Sequence, residues 1–175
     1  MKWINTFFSK KKSQPQKKKV CWDFLGKMLG EILLFTDDEN DQLGDLDDQD
    51  PKVLIEIIRE FVVPNYQYYL PEDQEKIRNS LAYYLTNNSK KLERIFPSFQ
   101  IPIDDHVAQL FYNLVWKELY GTDFPDPIEP DEYEEDCSTK YINSLTQSYA
   151  LIEKYNSTGK EPSLTNVIAR LKQKP

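Results

Sequence analysis

Glycine is scarce in this chain and histidine is nearly absent. The 175 residues include five glycines and one histidine, His106. Phosphate-binding loops need closely spaced glycines, and many general acid–base sites use histidine. Neither GxSxG, nor a glycine-rich phosphate loop, nor HExxH occurs in the sequence. We therefore expect a non-enzymatic protein, and we predict no catalytic residue, no cofactor and no metal site.

Cysteine is also rare, since the chain has only Cys21 and Cys137. They form neither a close pair nor the short spacing that zinc ligands have. Both lie on or near predicted apolar helix faces, where buried structural thiols are the usual outcome. This pattern predicts free thiols, a reducing compartment and a cytoplasmic location. No apolar run is long enough to span a bilayer, and the opening MKWINTFF is too short for a signal peptide.

Charge of one sign is missing from three segments. Residues 1–19 contain seven lysines and no acid, whereas the remaining residues carry 15 basic and 29 acidic groups, so that +7 and −14 sum to −7. Segments 37–50 and 122–136 each contain eight acids and no base. The acidic body should repel nucleic acid, so we expect no nucleic-acid partner. Segment 37–50 fits no calcium loop, which leaves a solvated loop or a docking surface for a cationic partner.

The strongest helix pattern spans residues 104–121. Apolar residues share one broad arc, an aspartate precedes the first turn, and Gly121 is placed to end the helix. Trp116 and Tyr120 fall on the opposite side, where either another segment covers them or they stand exposed as anchors for a partner.

Further helical patterns predict an all-α fold. We expect a single globular bundle of about six or seven helices over residues 20–175, built around the central helix 104–121. The other predicted helices cover 20–36, 51–63 with Asp50 as N-cap and Pro64 as the stop, 71–86, a short stretch that ends at Phe96, a stretch that ends near Asn156, and a last one after Ser163.

Residues 1–19 are predicted to form a flexible, disordered basic tail, for which three roles are open. It is a solvated arm, or it anchors the protein at a membrane surface, or it folds back onto the acidic body. The membrane role would combine an aromatic wedge with a polybasic patch. Its residues would be Trp3, Phe7, Phe8, Lys10, Lys11 and Lys12.

In charge and size the chain is similar to small bacterial immunity or inhibitor proteins. Such proteins neutralise a toxin, often a basic nuclease, by covering it with acidic side chains. The resemblance implies a protein-binding inhibitor with a cationic partner, because complementary charge speeds encounter and aromatic anchors hold the complex. The alternative is a peripheral membrane adaptor that uses residues 1–19. The predicted partner-binding residues are Asp37, Asp38, Glu39, Asp41, Asp45, Asp47, Asp48, Glu129, Asp131, Glu132, Glu134, Glu135, Trp116 and Tyr120.

Overall fold

A computed structural model describes residues 16–30, 46–47, 49–98, 103–124, 128–157 and 162–173. Within these ranges the chain is predominantly helical and carries one small two-stranded sheet. The predicted all-α bundle is therefore confirmed. None of the helices described is both long and apolar enough to cross a membrane.

The described elements follow one another closely along the chain. In order they are β1 (Lys18–Val20), α1 (Asp23–Met28), α2 (Pro51–Ile57), a π-helical turn (Ile58–Val62), α3 (Val63–Gln67), α4 (Pro71–Asn87), α5 (Ser89–Ser98), α6 (Ala108–Tyr120), β2 (Tyr133–Glu135), α7 (Thr139–Ile142), α8 (Thr146–Asn156) and α9 (Leu164–Gln173). Short 3-10 turns precede α6, β2 and α8 at Asp105–Val107, Pro130–Glu132 and Asn143–Leu145.

Helix α6 is the centre of the bundle, as predicted. The Asp104 carboxylate accepts the backbone N–H of His106 at 2.9 Å and so caps the 3-10 turn that leads into α6. Gly121 ends the helix with φ of 71°, a left-handed conformation that glycine adopts without steric cost. Between these caps α6 contacts α2, α4 and α5.

The helix that begins at Pro51 continues beyond its predicted end. Asp50 caps it, since its side chain accepts the N–H of Lys52 at 2.9 Å. The prediction that Pro64 stops the helix is wrong, because the chain passes through the π turn and goes on as α3. In that turn the N–H of Val63 donates to the carbonyl of Ile58. The wider turn relieves the clash that a proline ring makes with a regular α-helix.

The first predicted helix is shorter than its apolar pattern indicated. Val20 lies in β1 rather than in the helix, and α1 begins only at Asp23. The part of the pattern beyond residue 30 lies outside the described residues. Val20 is extended because it pairs with β2, a partner more than a hundred residues away. Helical periodicity carries no information about such a pairing.

Cys21 and Cys137 form a disulfide, with 5.2 Å between their Cα atoms. The prediction of free thiols is therefore wrong. The parallel register places Val20 opposite Glu135, so the two cysteines follow their strands closely at the same end of the sheet. The inference of a reducing cytoplasm loses its basis, because disulfides persist mainly in oxidising compartments.

A charged network joins α2, the π turn, α6 and α9. Arg170 reaches the carboxylates of Glu56 at 2.6 Å and Glu60 at 2.7 Å. On the other side of Glu56, Arg59 lies 3.4 Å from it and makes two hydrogen bonds to Glu118, at 2.7 and 3.1 Å. The buried Glu56 carboxylate is thus paired from two helices, which is the usual condition for a charge inside a protein.

Candidate functional site

Strands β1 and β2 bring the end of the basic segment 1–19 together with the end of the acidic segment 122–136. They pair in parallel, with Lys18 opposite Tyr133 and Lys19 opposite Glu134. Lys19 forms an ion pair with Asp136 at 2.6 Å, and Lys18 lies 3.8 Å from Glu132. The end of the predicted tail thus folds back onto the acidic body, so the folded part begins before residue 20.

Four acids of this region have no cationic partner, and the side chains of three of them have no hydrogen-bond or ion-pair partner among the described residues. We call Glu129–Asp136 the acidic strand segment. Within the described residues, Glu129, Asp131 and Glu134 are exposed and form no ion pair. Glu135, also exposed, accepts the hydroxyl of the buried Tyr84 at 2.6 Å, which ties the segment to α4. The segment therefore presents unneutralised negative charge on a fixed backbone.

Asp136 shows how strongly this segment holds a cation. The hydrogen bond from the Lys19 ammonium, aided by the N–H of Ser138, lowers the pKa of Asp136 to about 2. The same contact raises the pKa of Lys19. Both groups are thus held in their charged forms over a wide range of pH.

Some of the predicted site residues lie in the described part of the chain and others do not. Glu129, Asp131, Glu132, Glu134 and Glu135 are all exposed on the acidic strand segment. Asp47 is exposed as well, and its side chain accepts the N–H of Gln49 at 3.0 Å. The remaining predicted residues lie outside the described part of the chain, namely Asp37, Asp38, Glu39, Asp41, Asp45 and Asp48, and, for the membrane alternative, Trp3, Phe7, Phe8, Lys10, Lys11 and Lys12.

Of the two alternatives left open for Trp116, the structure shows the covered one, so Trp116 is not an exposed anchor. Its side chain is only 3% exposed, and its ring contacts Tyr120 and Phe124 with centroid distances of 4.5 and 4.9 Å. Phe124, which follows the turn at Gly121, covers the side of α6 that the helical pattern assigned to solvent. Tyr120 is half-buried, and its hydroxyl lies 3.0 Å from that of Tyr66.

A cleft of 680 Å³ lies beside these aromatic rings. Its walls come from α3, α4 and α6, the two strands, and the residue Ile128. Seven of the twelve wall residues are aromatic or apolar, and five are polar or charged. The lining comprises Lys18, Tyr66, Gln74, Glu75, Arg78, Asn79, Ala82, Trp116, Leu119, Tyr120, Ile128 and Tyr133.

Arg78 is the most distinctive group in the cleft. Its guanidinium carbon lies 5.1 Å from the ring centre of Tyr120 and 5.7 Å from that of Trp116, which is cation–π distance. Among the described residues no carboxylate lies within ion-pair distance of Arg78. The indole N–H of Trp116 is likewise buried without an acceptor in this part of the protein, a condition that costs roughly 1–3 kcal/mol.

The Tyr66 and Tyr120 hydroxyls in the cleft are neutral. Burial raises the pKa of Tyr66 and of Tyr120, in Tyr66 against the opposing effects of the Tyr120 hydrogen bond and the Arg78 charge. The hydroxyl of Tyr66 donates to the carbonyl of Gln74 at 3.3 Å. Tyr120 is then the donor in the contact between the hydroxyls. Both phenols therefore act as hydrogen-bonding groups rather than as anions at neutral pH.

The sequence singled out Trp116 and Tyr120, but the cleft that they line was not predicted. Arg78 is an unremarkable residue on the polar side of a predicted helix, and Lys18 belonged to the predicted disordered tail. The walls come from segments between Lys18 and Tyr133, which only the fold brings together. No local pattern could have identified this group of residues.

Two other polar clusters have simple structural roles. Asp104, Asp105 and His106 are close together and exposed, and they form the capped start of the central helix. Lys76 lies 3.0 Å from Ser144 and pairs with the buried Asp73 at 2.6 Å, which links α4 to the turn before α8.

Comparison with known proteins identifies no significant match to the chain. No protein-family model matches the chain, and no curated protein and no solved structure is significantly similar to it.

Proposed function

We propose that this chain is a non-enzymatic binding protein of the inhibitor or immunity type, which neutralises a cationic protein such as a toxin or nuclease. The acidic strand segment is the contact surface. The proposal is carried by one observation: Glu129, Asp131 and Glu134 are exposed and unpaired in a segment whose strand already pairs with the lysine-containing strand β1.

The contact between β1 and β2 suggests how the partner binds. Among the described residues, β2 has β1 on one edge and no strand on the other. An unpaired edge offers backbone N–H and C=O groups to an extended segment from another chain. A lysine- or arginine-bearing segment at this edge would gain backbone hydrogen bonds, while the exposed carboxylates attract its charges.

The disulfide bears on where this encounter takes place. A bond between Cys21 and Cys137 fits an oxidising compartment better than the cytoplasm that free thiols had indicated. We therefore propose that the partner is met in an oxidising environment, where the two strands are held together.

Charge neutralisation tests the contact surface. The triple variant Glu129→Gln/Asp131→Asn/Glu134→Gln removes the three unpaired acids and breaks no ion pair in the described structure. Its matched control, Glu72→Gln/Glu93→Gln/Glu153→Gln, removes three exposed acids elsewhere and changes the net charge equally. Basic proteins captured from the source cells by the unmodified protein are identified by mass spectrometry, and the affinity of each is then measured with purified components.

We expect the test variant to bind the partner about tenfold or more weakly, and the control variant to bind within about threefold of the unmodified protein. Inhibition of the partner's activity should fall in parallel. Equal affinities of the two variants, or capture of no basic protein, would contradict the proposal.

A further inference from the structure

We infer that the cleft between α4, α6 and the two strands binds a small organic anion that carries a planar ring. The inference does not depend on the proposed role of the acidic strand segment, because it uses none of the three unpaired acids and concerns a ligand of opposite charge.

The unpaired cation is the first argument. The chain has 29 acidic and 22 basic residues, so an arginine without a carboxylate partner is unexpected. Among the described residues the guanidinium group of Arg78 makes no hydrogen bond or ion pair and lies near two aromatic rings, and the Asn79 side chain has no hydrogen-bond partner. A guanidinium group has five N–H donors and suits the planar, two-oxygen edge of a carboxylate or phosphate.

The aromatic walls are the second argument. Tyr66, Trp116, Tyr120 and Tyr133 all line the cleft, and flat rings stack or meet edge-on with other rings. A volume of 680 Å³ is far larger than a lone inorganic ion needs and falls within the range of roughly 300–1,000 Å³ that small-molecule sites occupy.

The balance of charge in the cleft sets the charge of the ligand. Lys18 and Arg78 contribute two positive charges and Glu75 contributes one negative charge, which leaves +1. Glu132, at 3.8 Å, partly neutralises Lys18. A ligand with one or at most two negative charges, on a carboxylate or a phosphate monoester, complements this site better than a polyanion does.

Matched probes separate the ring from the anion. Isothermal titration calorimetry of the full chain would use 4-hydroxyphenylacetate and adenosine monophosphate as ring-bearing anions. Acetate and inorganic phosphate are anions without a ring, while tyrosol and adenosine are rings without the anion. The first two probes also distinguish a carboxylate from a phosphate as the preferred group. We expect at least one ring-bearing anion to bind with a dissociation constant below about 1 mM, and its two fragments to bind at least about tenfold more weakly.

Two variants assign the binding to this cleft. Arg78→Gln should weaken the probe that binds by about tenfold to a hundredfold, the effect expected for loss of a charge-assisted hydrogen bond. Lys90→Gln, which removes an exposed charge on α5 outside the cleft, should leave affinity unchanged. Arg78 is exposed, so its variant should keep the circular dichroism spectrum and melting temperature of the unmodified protein.

A second variant, Trp116→Phe, keeps a ring but makes the aromatic wall of the cleft smaller, and should weaken binding by a smaller factor. The inference is overturned if no ring-bearing anion binds below 1 mM, if the fragments bind as well as the complete probe, or if Arg78→Gln and Lys90→Gln bind alike.

Discussion

At the level of single residues, ion pairs stabilise the buried charge of this protein. Glu56 is only 3% exposed, yet its carboxylate contacts Arg170 at 2.6 Å and Arg59 at 3.4 Å. Removing one member of such a group leaves the buried charge uncompensated, which costs much more than the pair contributes as a whole.

Arg170→Met should therefore destabilise the protein by about 2 kcal/mol. Loss of one partner of a fully buried pair costs roughly 3–5 kcal/mol, but the Arg170 side chain is 37% exposed and solvent screens part of its effect. Urea unfolding at pH 7 would measure the change. Lys172→Met, on the exposed side of the same helix, is the control and should change stability by less than about 0.5 kcal/mol. Equal stability of the two variants would show that the network contributes nothing.

Glu60 makes the same network sensitive to pH. Burial alone would raise the pKa of Glu60, but hydrogen bonds from Asn166, Arg170 and the N–H of Ser163 outweigh it and lower the pKa below its ordinary 4.5. A folded-state pKa below the unfolded value contributes stability above pH 4.5, and this contribution is lost as pH falls through the folded-state value.

Glu60→Gln should accordingly lower stability at pH 7, and the difference from the unmodified protein should shrink as pH falls below 4.5. Urea unfolding at pH values of about 7, 5 and 3 would test this expectation. Glu93→Gln, which removes an exposed carboxylate, serves as the comparison. A difference for Glu60→Gln that stays constant across this range would be evidence against the assigned pKa shift.

At the level of elements, the strand pair and its disulfide join the end of the basic segment 1–19 to the end of the acidic segment 122–136. Each strand has only three residues. A pair of strands this short is not stable by itself. Packing of β1 against α4 and the disulfide between Cys21 and Cys137 stabilise the pairing. The strands also carry Lys18 and Tyr133, so they shape one wall of the cleft.

Cys21→Ser/Cys137→Ser should destabilise the protein by about 3–5 kcal/mol, because the disulfide closes a long loop with a sequence separation of 116. Thermal unfolding with and without reductant would measure the effect. Reductant should lower the melting temperature of the unmodified protein and leave that of the double serine variant unchanged. Two thiols that react in the unfolded, unreduced protein would show that the bond does not form.

The whole molecule combines a net charge of −7 with local regions of opposite sign. The acidic strand segment attracts cations, while the cleft next to it carries an unpaired arginine. Long-range attraction between proteins acts on the rate of encounter and is screened over about 8 Å at physiological ionic strength. The two proposed activities should therefore differ in their dependence on salt.

Association with the cationic partner should slow by about tenfold or more when sodium chloride rises from about 50 to about 500 mM, while dissociation changes much less. Stopped-flow or surface plasmon resonance measurements would separate the two rates. The triple variant of the acidic strand segment should show a weaker salt dependence than its matched control. A salt-independent association rate would argue against electrostatic attraction as the basis of binding.

The sequence by itself determined the helices and several of their ends. Caps such as Asp50, Asp104 and Gly121 act on backbone groups within a few residues. The apolar stripes of α4 and α6 recur about once per helical turn, so they too are visible in a short stretch of sequence. The tertiary structure alone decided the disulfide, the pairing of β1 with β2, the burial of Trp116 and the setting of Arg78. Each of these depends on contacts between residues far apart in the chain, and the physical reason is that periodicity and capping are local, whereas burial and pairing belong to the packed molecule.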